Sequence, residues 1–203
     1  GVQTCVFRSP FPFSVMTKPW RSVICVDNSM NEFFCHLKHL PLIPSKFLEH
    51  AQSLRYETPE EHGHFTKLNL NARGPDFKMH FLTHPFYIAL KKAFPGVMGA
   101  VYAKTNPNEL YDWHTDKGGV VTGINILLSD PADCITLFRT KTNIPLQYKI
   151  YRCDYEQFRP TVFDSTVEHC VINLSQEPRY LLRIPIADAT YQEVRDYLLD
   201  YRN

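Results

Sequence analysis

Long apolar runs are absent from this 203-residue chain, and none approaches the roughly 18 residues of a helical membrane span. The opening stretch from Gly1 to Trp20 is interrupted by Pro10, Pro12 and Pro19, which denies it the continuous apolar region of a secretory signal. Its six cysteines (Cys5, Cys25, Cys35, Cys134, Cys153 and Cys170) include no C-x-x-C and no zinc-type spacing. Free thiols in a reducing, cytoplasmic setting are therefore expected, several of them buried as small apolar groups. Net charge is only +1, with Lys and Arg scattered along the chain. The basic stripe of a phosphate-binding surface is missing, and a nucleic-acid partner is disfavoured. No internal repeat, low-complexity tract or long linker divides the sequence, so one domain with a substantial core is expected at this length.

What the sequence does hold is Tyr111-Asp112-Trp113-His114-Thr115-Asp116, answered later by Phe163-Asp164-Ser165-Thr166-Val167-Glu168-His169. His114, Asp116 and His169 form a two-histidine, one-carboxylate set. Such a set holds non-haem Fe(II) on one triangular face and leaves three coordination positions open. H-x-D alone is a short motif with a high chance rate, so its surroundings carry the argument. His114 and Asp116 are two residues apart and project from one face if the segment is extended. Gly118-Gly119 signals a turn, and Val120 to Leu128 reads as a buried strand. A second strand-like run, Pro160 to Val171, contains His169. A carboxylate and a histidine at one strand end with a second histidine on a distant strand suit a closed or sandwiched sheet better than a helix bundle.

Arg179 and Arg183 lie on a further strand-like stretch that follows a turn at Ser175 to Pro178. A dicarboxylate bound to the metal through one end would bury its other carboxylate, and a planar guanidinium is its best partner. The two arginines share strand parity but stand about 13 Å apart along a strand, so only one can be that anchor.

Residues 98 to 187 resemble the double-stranded β-helix core of the Fe(II)/2-oxoglutarate-dependent oxygenases, most of all the prolyl 4-hydroxylase-like branch. The resemblance rests on Tyr102, Tyr111, His114-Thr115-Asp116, Val162-Phe163-Asp164-Ser165, His169-Cys170-Val171 and Arg179, in that order. It implies a mainly β protein with supporting helices around a jelly-roll, cupin-like core. Iron would sit on His114, Asp116 and His169, the catalytic set, and the distal carboxylate of 2-oxoglutarate on Arg179. Tyr102 and Tyr111 would contribute further hydrogen bonds to the co-substrate. The activity implied is oxidative decarboxylation of 2-oxoglutarate to succinate with hydroxylation of a C–H bond, using dioxygen, with ascorbate as accessory reductant. The substrate would be a protein or peptide side chain such as proline, or a free small molecule. The chain departs from the family pattern at Leu181, where Ser or Thr is usual, and at Tyr102, which stands farther from His114 than usual. It departs again at Asp133 to Phe138, where a Gly-Gly turn is expected.

Around that core the sequence predicts one domain in three parts: residues 1–97 as arm, helices and loop, 98–187 as the core, and 190–203 as a C-terminal helix. Ser22 to Val26 reads as a strand, and Ser45 to Leu54 and Pro85 to Phe94 as amphipathic helices buttressing the core. Thr190 to Glu193 forms a capping box, after which Tyr191, Val194, Leu198 and Tyr201 share one side. The polar stretch Arg55 to His84 reads as a lid or substrate loop, with Lys67 to Arg73 as candidate contacts. His62-Gly63-His64 within it is a rival metal pair lacking a third ligand. Two other readings stay open: a nucleic-acid demethylase on the same core, and a non-enzymatic cupin-like metal protein. Asp116, taken as a ligand at a solvent-reachable strand end, is expected to tolerate Asp116→Ala without unfolding while turnover is lost.

Overall fold

The computed structural model describes residues 25–26, 32–54, 56, 66–69, 84–116 and 118–201. In chain order its elements begin with β1 (Cys25–Val26), β2 (Phe34–His36), α1 (Lys46–Ser53), β3 (Thr66–Asn69) and α2 (Pro85–Ala93). There follow β4 (Val101–Thr105), β5 (Glu109–His114), β6 (Thr122–Leu127), β7 (Cys134–Lys141) and β8 (Tyr148–Cys153). The last are β9 (Pro160–Asp164), β10 (His169–Asn173), β11 (Arg179–Ile186) and α3 (Tyr191–Asp200). One sheet has the order β1-β8-β7-β10-β5 and the other β2-β9-β6-β11-β4-β3. From β4 to β11 the chain crosses repeatedly between the two sheets, the winding of a double-stranded β-helix.

Strand alternation sorts the side chains into two cores. On β11, Leu182, Ile184 and Ile186 face outward with Tyr102, Ile124, Ile126 and Val162 of the neighbouring strands. There they pack against α1, α2 and α3 through Phe47, Leu90, Val194 and Leu198. The opposite face of the same strands, with Ala103, Leu127, Phe163 and Leu181, meets Cys134, Phe138, Tyr151 and Cys153 of the five-stranded sheet. Gly123 lies opposite Phe163 on β9, and a Cβ there would collide with the Phe163 ring. Glycine at this strand position lets a large ring lie flat over the backbone.

Both predicted amphipathic helices form with nearly their expected bounds, α2 opening on Pro85 with the His84 side chain capping Phe86. The capping box at Thr190 is reciprocal: its side chain accepts from Glu193 N–H, and Glu193 accepts from Thr190 N–H.

The sheets extend beyond residues 98–187, because β2 pairs with β9, β1 with β8 and β3 with β4. These added strands are two, three and four residues long, too short for apolar periodicity to be read. Of the predicted Ser22 to Val26 strand, Cys25–Val26 is described. The strand Tyr148–Cys153 was not anticipated. The run Pro160 to Val171 is two strands in different sheets, not one. Asp164 breaks it by accepting from both the backbone N–H and the hydroxyl of Thr166, at 2.9 and 2.6 Å, an Asx turn that redirects the chain. The arm before residue 25, the His62-Gly63-His64 pair and most of the Arg55 to His84 stretch lie outside the described residues. Within that stretch Thr66–Asn69 is an edge strand rather than loop. Among the described residues no helix is long and apolar enough to cross a membrane.

Candidate metal centre

His114 closes β5 and His169 opens β10, and the two stand directly opposite each other in the antiparallel register. A register shift between His169 and Val171 marks a bulge at this point, a device that re-aims side chains at a strand end. Their ring centres are 4.2 Å apart. Asp116 lies just beyond β5, where its backbone N–H donates to the Ser165 carbonyl at 3.1 Å. Ser165, fully buried, is tied in turn through its own N–H to Val121 and through its hydroxyl to Val120. The segment carrying the carboxylate is thus stapled to the turn that delivers His169. The Gly118-Gly119 turn has both φ values at +78°, a region that L side chains rarely adopt.

The ligand atoms of His114, Asp116 and His169 all lie within 4.8 Å of one another. Ligands on one triangular face of an ion, with bonds of about 2.1 Å at right angles, stand about 3 Å apart, so side-chain rotations drawing the atoms together by up to about 2 Å would close the set on one ion. Each histidine is oriented by the same device: Nδ1 of His114 meets the Asp112 carbonyl at 2.7 Å, and Nδ1 of His169 meets the Val167 carbonyl at 2.9 Å. A carbonyl can only accept, so Nδ1 carries the proton and each Nε2 presents a lone pair. Burial, with the neighbouring His169 second, pulls the His114 pKa down to about 4. Burial also lowers that of His169, whose ring is walled by Phe138 and Phe163 at 5.6 Å each. Both imidazoles are therefore neutral near pH 7, the form that binds metal.

Asp116 is not a solvent-reachable ligand. Its side chain is 8 % exposed and forms a two-bond ion pair with Arg183, one bond at 2.9 Å and the other from Nη2 to Oδ2. Burial raises its pKa, but the guanidinium outweighs burial and holds the carboxyl below the ordinary aspartate value. Arg183 faces the interior from the middle of β11, between Val101 and Asn125 of the flanking strands.

Arg179, four residues earlier on the same face, lies deeper. It is 2 % exposed, and among the described residues no carboxylate pairs with it. Its Nη2 donates to the Thr136 hydroxyl at 3.4 Å, its guanidinium carbon is 5.7 Å from the Tyr155 ring centre, and its Nε has no partner. Burial pulls its pKa downward. Three more buried side-chain atoms are without partners among the described residues: the hydroxyl of Thr105, its register partner, and, four residues along β11, the Nε of Arg183 and the side-chain carbonyl of Asn125 opposite it. The amide of Asn125 donates to the Tyr155 hydroxyl at 3.0 Å. A buried cation beside hydroxyls that can donate is a cradle for a small anion. Along β7, Phe138 touches His169 and Thr136 touches Arg179, a separation of two residues or about 7 Å. That separation is on the order of the length of a five-carbon diacid.

Of the two tyrosines expected at the co-substrate, the structure brings one to the centre. The Tyr111 ring lies 3.9 Å from that of His114. Tyr102 does not reach it, and that expectation is corrected: its neighbours Ala103 and Thr105 occupy the inward positions of β4, so Tyr102 faces the helices. It pairs in register with Leu182, and its hydroxyl meets His50 Nδ1 at 3.4 Å. Tyr155, Thr136 and Asn125 take the interior positions instead. Tyr155 was legible in principle: Tyr151, Cys153 and Tyr155 alternate with the polar Arg152 and Asp154, a period-2 pattern that assigns the aromatic face inward. Cys170 turns away from the centre, as alternation predicts, and Cys35, Cys134, Cys153 and Cys170 are all free and buried.

No family model matches the chain, and no curated protein matches it in sequence. Solved structures do match in shape. HygX from Streptomyces hygroscopicus, with nickel and 2-oxoglutarate bound, superposes with a TM-score of 0.57 at 12 % identity, covering 77 % of this chain and 83 % of its own. AviO1 from Streptomyces viridochromogenes Tue57 gives 0.55 at 15 % identity, covering 77 % and 90 %. SnoN, a non-haem α-ketoglutarate-dependent epimerase from nogalamycin biosynthesis, gives 0.55 at 12 % identity, covering 77 % and 76 %. At these identities the likeness is one of fold: this chain is folded as a double-stranded β-helix with the two-sheet architecture of those proteins.

Proposed function

We propose that the protein is an Fe(II)- and 2-oxoglutarate-dependent oxygenase that hydroxylates a C–H bond. The observation that carries this reading is the pairing, inside one sandwich, of a His114–Asp116–His169 cluster with a buried arginine that has no carboxylate partner among the described residues. In this reading His114, Asp116 and His169 hold the iron, and Arg179 takes the distal carboxylate of the keto acid. Thr136, Tyr155 and Thr105 supply hydroxyls beside it, and Tyr111 borders the metal. When bound, iron and 2-oxoglutarate would supply the oxidant: one atom of dioxygen goes into succinate as 2-oxoglutarate loses carbon dioxide, and the other becomes available for the C–H bond. The chain's own contribution is geometry: two carbonyl-locked imidazoles, a carboxylate steadied by Arg183, and phenylalanine walls that exclude water. Fit is supported by the donor set, two neutral nitrogens and one carboxylate, and by the orphaned Nε of Arg179.

For the substrate, the sequence resemblance favours a protein or peptide side chain such as proline. A free small molecule is favoured by the HygX structure that holds nickel, 2-oxoglutarate and hygromycin B. The experiment that separates them is succinate release by iron-reconstituted protein against prolyl peptides, polyol and aminoglycoside small molecules, and methylated single-stranded oligonucleotides. Slow, iron-dependent 2-oxoglutarate consumption without substrate, stimulated by one of the first two groups, is expected. Iron-independent turnover, or none with any keto acid, would count against the proposal.

A further inference from the structure

Behind the two histidines, on the face of the five-stranded sheet turned away from the sandwich, one side chain engages the residue that precedes each of them. Phe138, His169 and His114 stand side by side across β7, β10 and β5. They point inward, so Arg139, Glu168 and Trp113 fall on the outer face. The Arg139 guanidinium donates two parallel bonds to Glu168, Nε to Oε2 at 3.0 Å and Nη2 to Oε1 at 3.1 Å. Its backbone N–H donates to the Glu168 carbonyl at 2.9 Å. The same guanidinium stacks between two rings, 4.4 Å from the centre of Trp113 and 4.7 Å from that of Tyr148. Tyr148 belongs to β8, Arg139 to β7, Glu168 adjoins β10 and Trp113 belongs to β5, so one cation ties four adjacent strands.

The tie sits at the bulge between His169 and Val171. A bulge interrupts the regular ladder, so the spacing of the two histidines is set least by backbone hydrogen bonds where it matters most. As a stability device the pair is weak, because its side chains are 23 % and 38 % exposed and exposed pairs contribute little. Its geometry serves position instead: the planar fork fixes Glu168, and the flat face fixes Trp113.

We propose that Arg139 is a positioning residue for the metal centre. By holding Glu168 and Trp113 it sets how closely His169 and His114 approach, and so the affinity and geometry with which they take up a divalent ion. This rests on reading His114, Asp116 and His169 as a metal site. The test is titration of apoprotein with Co(II), followed by its visible absorption, for wild type, Arg139→Met, Arg139→Lys, Glu168→Gln and the control Arg152→Met. Arg152 forms an exposed ion pair with Asp154, away from both histidines in sequence. Arg139→Met should bind Co(II) about 10-fold more weakly, the low end of the effect of losing a group bonded directly to a ligand, because Arg139 acts through the residues next to the histidines. Its absorption should shift, while the apoprotein melts close to wild type. Arg139→Lys, which keeps the charge but loses the fork, should recover only part, and Arg152→Met should match wild type. If Arg139→Met does not fold, Glu168→Gln carries the same comparison. Wild-type affinity and spectrum in Arg139→Met, or in Glu168→Gln where that variant stands in, would overturn the proposal, even if the melting temperature fell. A wild-type protein that takes up no Co(II) at all would overturn the metal reading itself, whatever the variants do.

Discussion

Arg179→Met is expected to melt at a higher temperature than wild type and to bind 2-oxoglutarate far more weakly. The arginine is 2 % exposed, lacks a carboxylate among the described residues and leaves its Nε unbonded. An unpaired buried cation is a standing cost to the folded state. Methionine fills much of the same length with apolar atoms, so the apoprotein should gain about 1 kcal/mol, a rise of roughly 2–4 °C for a domain of this size. The same change removes one partner of the buried ion pair that the co-substrate would complete. Such losses cost about 2–5 kcal/mol, roughly 30- to several-thousand-fold in affinity. Metal uptake should be nearly untouched, since Arg179 lies deeper than the histidines. Calorimetric titration of metal-loaded protein with 2-oxoglutarate, beside thermal melts of the apoprotein, reads both signs. A residue serving only as a structural cation would give the opposite pattern, lower stability with unchanged binding. The gain in stability with loss of function would mark Arg179 as a group kept for its ligand.

The second large effect is at Asp116, where the structure revises what the sequence suggests. A carboxylate at an open strand end could be truncated without harm to folding. Here the side chain is 8 % exposed and paired through two bonds with Arg183, itself 14 % exposed. Asp116→Ala therefore leaves a cation buried without its partner, a change that typically costs about 3–5 kcal/mol. Loss of activity in that variant alone would be ambiguous. The double variant Asp116→Ala/Arg183→Met removes both charges and should recover most of the stability while still failing to bind metal. Chemical denaturation of the single and double variants, with metal titration of the double, separates the two roles. Metal binding by the double variant at wild-type affinity would remove Asp116 from the ligand set. Arg183→Ala alone should also destabilise, because it strands the carboxylate, and this separates Arg183 from Arg179 without reference to turnover.

The clustering of His114 and Asp116 was legible because they are two residues apart and strand parity is a strict rule, whereas His169, on a distant strand, came from the family pattern. His114 and Asp116 had to share a face if extended, and Arg179 and Arg183 had to point the same way. Parity could also have excluded Tyr102, since Ala103 and Thr105 are the small inward residues of β4. The family pattern suggested Tyr102, and the geometry of a single strand overrules it. What the sequence concealed was long-range: that Arg183 would reach Asp116 across the sandwich, and that Tyr155 would arrive under Arg179 from the far end of β8. The short strands β1, β2 and β3 were hidden for a different reason. Their pairing partners, not their own periodicity, make them strands. The break at Asp164 lay in plain view as Asp-Ser-Thr, but the apolar residues on both sides read as one continuous run.

Whether the cluster and Arg179 together hold a keto acid on iron is read most directly by an anaerobic titration of Fe(II)-loaded protein with 2-oxoglutarate, watching for the visible charge-transfer band of a keto acid chelated to ferrous iron. Wild type should give a saturable band, Arg179→Met a band of the same form but much weaker affinity, and the Asp116→Ala/Arg183→Met double variant none. Iron bound by wild type with no band at any concentration of 2-oxoglutarate, or an equally tight titration in Arg179→Met, would contradict this reading.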